Sequence, residues 1–168
     1  MKRIKCVICL VLCSALIFGC EQKAEPTQTP SAVTATKEPQ FETITVFSID
    51  TANMQLVPNR VKKNEENDSP EYICDLVLDN LDDDSIKISE VKLTKTKSDD
   101  DTAVVIFNAG GKPLKDCDED MEYLILDCFA NTILDNVSGG HNVVFRSTAG
   151  AYKSENIEFG ENEAYASK

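Results

Sequence analysis

Few residues in this chain have the type and spacing that chemistry needs. His141 is the only histidine, and it follows Gly139-Gly140, a turn dipeptide, so an exposed loop position is expected. Without a second histidine a zinc site needs thiolates or carboxylates, and Cys117 and Cys128 are not at close ligand spacing. The acids come in three runs, Asp82-Asp83-Asp84, Asp99-Asp100-Asp101 and Asp116-Cys117-Asp118-Glu119-Asp120. The last opens like a calcium loop, but Met121 stands where the turn requires glycine and Asp127 falls inside an expected helix. Asp116 and Glu119 fit a helix capping box instead, and the other two runs read as solvated loops. Gly110-Gly111-Lys112 is followed by Pro113 and lacks the earlier glycine of a phosphate-binding loop, which leaves a tight turn. Enzymes need a positioned base or nucleophile. These patterns supply none, so the expectation is a non-enzyme with no metal and no cofactor.

The seven cysteines divide along the chain. Cys6, Cys9, Cys13 and Cys20 lie in an apolar N-terminal stretch, and Cys74, Cys117 and Cys128 follow far apart. That pattern is neither a disulfide scaffold nor a metal motif. Cys74 and Cys128 are expected to be small hydrophobes on buried helix faces; the alternative is a bridge between them. The formal charge is −12 over 168 residues, and Lys2, Arg3 and Lys5 are the only charges among the first 19, so the remainder carries −15. A surface this negative is repelled by nucleic acid and by anionic lipid, which removes nucleic acid from the expected partners.

The three cations form the start of a secretory signal, and the apolar run from Cys6 to Phe18, broken only by Ser14, is its core. That run falls short of the ~20 residues a spanning helix needs. Ile17-Phe18-Gly19-Cys20 resembles the bacterial lipobox, with Phe18 bulkier than the residue usual at its place. The resemblance implies that signal peptidase II recognises Ile17, Phe18 and Gly19 and cuts before Cys20, whose thiol carries diacylglycerol. At ~0.8 kcal/mol per buried methylene, two or three acyl chains give a lasting anchor on the outer face of the bacterial cytoplasmic membrane. Residues 21–40, EQKAEPTQTPSAVTATKEPQ, contain almost nothing large and apolar, and read as a tether with a root-mean-square span of roughly 25 Å. The expected organisation is therefore signal 1–19, lipidated cysteine and tether 20–40, and one domain over 41–168.

Within the domain, 43–50 is rich in Thr, Ile, Val and Phe and suits a strand, with a second extended piece over 54–62. Ser69-Pro70-Glu71 is a helix start, with a capping hydroxyl, a proline where no N–H is needed and an acid at the positive end of the dipole. Ile73, Leu76, Val77 and Leu81 carry that helix over 70–81. Val91 and Leu93 alternate with polar residues as a half-exposed strand, and 102–107 is apolar enough for a central one, the two joined as a hairpin. A second helix is expected over 118–136, with Met121, Leu124, Ile125, Cys128, Phe129, Thr132 and Ile133 facing inward. A last strand covers 142–147. The order strand, helix, hairpin, helix, strand predicts an α+β domain, a small mixed sheet with two helices on one face.

An opening strand followed by Leu56-Val57-Pro58 and Arg60, the strand Thr102-Ala103-Val104-Val105-Ile106, the helix containing Ala130-Asn131-Thr132, Val143-Val144-Phe145 with Gly150, and the closing stretch from Tyr152 to Gly160 together resemble the GerMN domain. That family takes its name from a spore-germination and sporulation lipoprotein, and the resemblance covers nearly all of 41–160. It implies an extracytoplasmic interaction module similar in fold to ring-building domains of envelope machines, with no enzyme activity. The expected function is thus a lipid-anchored assembly module, possessing an envelope protein partner or self-associating, in sporulation or germination. The alternative is an envelope enzyme or cell-wall-binding protein that uses its acidic residues. Because neighbours along a strand point to opposite faces, one apolar set of the central strands must lie away from the helices. Val105 and Phe107 are assigned to that set, as candidate binding residues.

Overall fold

The computed structural model describes residues 42–63, 69–95, 101–138 and 140–168. Strands β1 (Thr43–Asp50) and β2 (Gln55–Lys62) form an antiparallel hairpin in register from Thr43 opposite Lys62 to Asp50 opposite Gln55. Asp50 ties the turn: its Oδ1 accepts from the backbone N of Ala52 at 3.0 Å and of Asn53 at 3.2 Å, and its Oδ2 from Asn53 Nδ2 at 2.7 Å. Helix α1 (Pro70–Leu81) begins as its sequence dictates, with Ser69 Oγ accepting from Tyr72 N at 3.3 Å, and ends at Asp82 in the left-handed region, φ 51°. Ile73, Cys74, Leu76 and Val77 form its buried stripe.

Strand β3 (Ile88–Lys95) pairs antiparallel with β4 (Asp101–Phe107), and β4 pairs parallel with β5 (Asn142–Ser147). Parallel neighbours need a long crossover, which α2 (Glu119–Asn136) supplies. The far edge of β5 is covered by two short strands, β6 (Gly150–Ala151) and β7 (Ala166–Ser167). The fold is α+β, with a five-stranded mixed sheet, two helices among the described residues, and the β1–β2 hairpin as a separate two-stranded sheet. The hairpin packs on both helices. The inner edge of β1 finds side chains of α2 in place of another strand: Phe47 N donates to Thr132 Oγ1 at 3.1 Å and Asn136 Nδ2 donates to Thr45 O at 2.9 Å.

Two expectations for α2 need correction. Its cap is Asp118, whose Oδ1 accepts from Met121 N at 2.9 Å, and not Asp116, which sits at φ 55° in the preceding turn. The inward stripe contains Leu126 and Glu122, both wholly buried, whereas Met121 and Leu124 are only half-buried. A helix turning 3.6 residues per cycle places 122, 125, 126, 129 and 133 on one face, and the sheet lies against that face.

Candidate functional site

The proposed lipidation site, Cys20 with Ile17, Phe18 and Gly19, lies outside the described residues, as does the tether. Among the described residues no helix is long and apolar enough to cross a membrane. Val105 and Phe107 do not form a surface away from the helices. Both are fully buried, and the Phe107 ring meets Phe129 of α2 edge-on at 5.6 Å and lies 5.7 Å from Phe145. Pairing sets the parity. Val105 stands opposite Val91 and beside Phe145, so these share the helix face, while Val104 stands between Lys92 and Val144 on the other. That outer face is two buried valines ringed by Glu90, Lys92, Ile106 and Arg146, not an apolar sheet surface.

The three cysteines among the described residues, Cys74, Cys117 and Cys128, are free. Cys74 and Cys128 belong to the core, as their helix positions suggested. Burial, aided by Asp75, pushes the Cys74 thiol far above its ordinary range; burial and Asp127 push Cys128 up to about 12. Burial and the Glu122 charge push Cys117, half-buried ahead of α2, up to about 11. None of them offers a thiolate near neutral pH. His141 is exposed in the loop before β5, its backbone N donating to Asp101 O at 3.0 Å. No group of three or more His, Cys, Asp or Glu among the described residues is arranged to hold a metal ion.

Glu122 is the one wholly buried carboxylate among the described residues. Tyr152 Oη donates to its Oε1 at 2.6 Å, while Ser154 Oγ at 2.9 Å and Asn156 Nδ2 at 3.0 Å donate to Oε2. Burying a charge is tolerable only when its lone pairs are met this way. Burial and then the bond to Glu122 hold the Tyr152 phenol far above its ordinary range, so it remains a donor. The knot fastens the chain after β6 to the start of α2, and an aromatic row from Phe107 through Tyr152 and Phe159 to Tyr165 continues that attachment to the C-terminal segment. Tyr165 Oη closes it on Asp127 Oδ1 at 2.7 Å.

A different environment lies at the C-terminal end of α1, where the loop from Asp82 to Lys87 meets the loop from Asn108 to Asp116. Gly111 approaches so closely that a Cβ there would be 3.0 Å from Ser85 O, and Lys112 N donates to Ser85 O at 3.1 Å. This contact is why Gly110-Gly111-Lys112 forms a turn. Lys112 Nζ then reaches Asp83 Oδ2 at 3.2 Å. Hydrogen bonds from Ser85, followed by that ammonium, hold the Asp83 carboxyl below the usual range, so it stays ionised. Above this pair opens a cleft of about 300 Å³ between the end of β1, the end of α1 and the start of α2. Ile49, Leu81, Ile86, Met121 and Ile125 make its walls, with Ser48 and Asn80 as polar members. A second hollow of about 310 Å³ shares Asp83 and Ile86 with it and is rimmed by Asp79, Asp82 and Asp84, with Lys87 as its one cation. The first acidic run is therefore a rim, a role its sequence did not indicate; the apolar floor comes from four separate segments.

No family model, curated protein or solved structure matches this chain.

Proposed function

We propose that the chain is a bacterial lipoprotein, held on the outer face of the cytoplasmic membrane by acyl chains on Cys20, whose folded domain is a non-catalytic interaction and assembly module of the cell envelope. On the GerMN resemblance, its setting is sporulation or germination. The observation that carries this reading is the succession of cationic start, apolar run and Gly19-Cys20, followed by a tether too polar to fold. The α+β architecture with two helices against a small mixed sheet supports the interaction module. The environments of the described groups are in keeping with it: Glu122, Tyr152 and Tyr165 are engaged in fastening the C-terminal segment, and the Cys74 and Cys128 thiols are kept protonated.

Intact-mass measurement of membrane-extracted protein tests the anchor. A mature N-terminus at Cys20 carrying acyl mass is expected, and a soluble product with an unmodified Cys20 thiol would refute it. Crosslinking in intact envelopes, with the Cys20→Ala form as control, tests the module: a defined crosslinked species is expected from the anchored form and its loss from the control.

A further inference from the structure

The cleft at the end of α1 has an apolar floor, an unsatisfied buried amide and an acidic rim, and together these specify what it receives. Asn80 Nδ2 is buried without a hydrogen-bond partner, a condition that costs free energy unless an acceptor arrives. Asn80 lines the cleft beside Leu81, Ile86 and Met121, so the cleft is the opening from which an acceptor would reach its amide. Asp79, Asp82 and Asp84 are exposed around the adjoining hollow, and none of them is in an ion pair among the described residues. Asp83 differs, being neutralised by Lys112. Three carboxylates against the single ammonium of Lys87 leave the rim net acidic beside an aliphatic slot, which repels an anionic ligand and favours one that combines cations with an aliphatic side chain.

We propose that this cleft docks an extended cationic segment of a partner protein, one that places an aliphatic side chain between Leu81, Ile86 and Met121, a backbone carbonyl against Asn80 Nδ2, and lysine or arginine side chains against Asp79, Asp82 and Asp84. The inference rests on the reading of the chain as an interaction module and names the chemistry of its partner. It commits to a partner other than a second copy, because two such acidic poles repel each other.

The test uses the full chain in detergent and a fluorescent peptide of alternating lysine and leucine, with two control peptides carrying glutamate for lysine or serine for leucine. Saturable binding of the lysine–leucine peptide alone is expected, weakening as salt is raised because the rim charges are screened. D82N/D84N should weaken it by about 3- to 10-fold. Met121→Lys, which sets a cation in the half-buried slot, should abolish it, and both variants should melt within a few degrees of the parent. Binding that survives Met121→Lys in a folded protein, equal binding of the serine peptide, or concentration-dependent self-association that the peptide does not compete would overturn the proposal. If the peptide fails while envelope crosslinking succeeds, this site is wrong and the interaction module stands; if crosslinking fails as well, the module reading falls with it.

Discussion

Glu122, in the first turn of α2, and Asn80, in the last turn of α1, are polar side chains on two helices that pack together, and the fold treats them in opposite ways. Glu122 is the more costly to bury, yet three donors from the segment 152–156 meet it. Asn80 is neutral, and its Nδ2 is met by nothing. The difference teaches which side of the α2 start is built for holding and which for receiving. Around Glu122, polar groups, aromatic rings and the chain after β6 close on one another. Around Asn80, apolar walls and free carboxylates are left open to solvent.

The largest effect that would break this contrast comes from Glu122→Ala. It strands three donors and detaches the C-terminal segment, so a loss of about 3–5 kcal/mol is expected, read as a lower midpoint of urea unfolding. A loss under about 1 kcal/mol would mean that the knot does not hold the fold. Alkaline pH should also weaken the fold. Cys74, Cys128, Tyr152 and Tyr165 all titrate higher in the fold than their ordinary values of 9.0 for the thiols and 10.0 for the phenols. The folded state therefore keeps protons that the unfolded chain releases, and the stability these groups give is complete below about pH 9 and falls as pH climbs from there. Unfolding midpoints measured at pH 8 and at successive steps above 9 should show this decline, and a flat profile would contradict the buried placement of these groups.

Tyr152→Phe is a milder cut, removing one donor to Glu122 while keeping the ring against Phe107 and Phe159. A loss of about 1.5–3 kcal/mol is expected, with a shallower alkaline decline, in the same unfolding assay. The smallest effect is expected with the opposite sign. Asn80→Leu replaces an unsatisfied amide by an apolar group of similar size, so stability should be unchanged or rise by up to ~1 kcal/mol. A clear destabilisation in calorimetry would show that Asn80 has a structural partner and would place it with Glu122.

The elements themselves were legible because their signals are local. Ser69-Pro70-Glu71 and the spacing of Ile73, Leu76 and Val77 are sufficient to place α1, and the same logic locates 142–147 as a strand. The boundary of α2 was readable to within a residue, but its cap was not, because Asp116 and Asp118 offer the same carboxylate and only the backbone at φ 55° decides between them. Glu122 had a readable signal, since it shares helical spacing with Ile125, Leu126 and Phe129, but a carboxylate on an apolar stripe is interpretable only with its partners in view.

Periodicity in the amino-acid sequence determined where helices and strands run, which residues start them, and that Cys74 and Cys128 turn inward. It also carries the proposed anchor at Cys20, since a peptidase reads a linear motif. Tertiary structure alone decided which face of β4 is core: four consecutive apolar residues, Val104 to Phe107, satisfy either parity, and pairing with Val91 and Phe145 breaks the tie. It also decided that Glu122 meets Tyr152, Ser154 and Asn156, and that Ile49, Asn80, Ile86 and Met121 line one cleft. The Glu122 contacts join residues 30 to 34 positions apart and the cleft gathers separate segments, so the packing that brings them together depends on the whole chain rather than on any window of it.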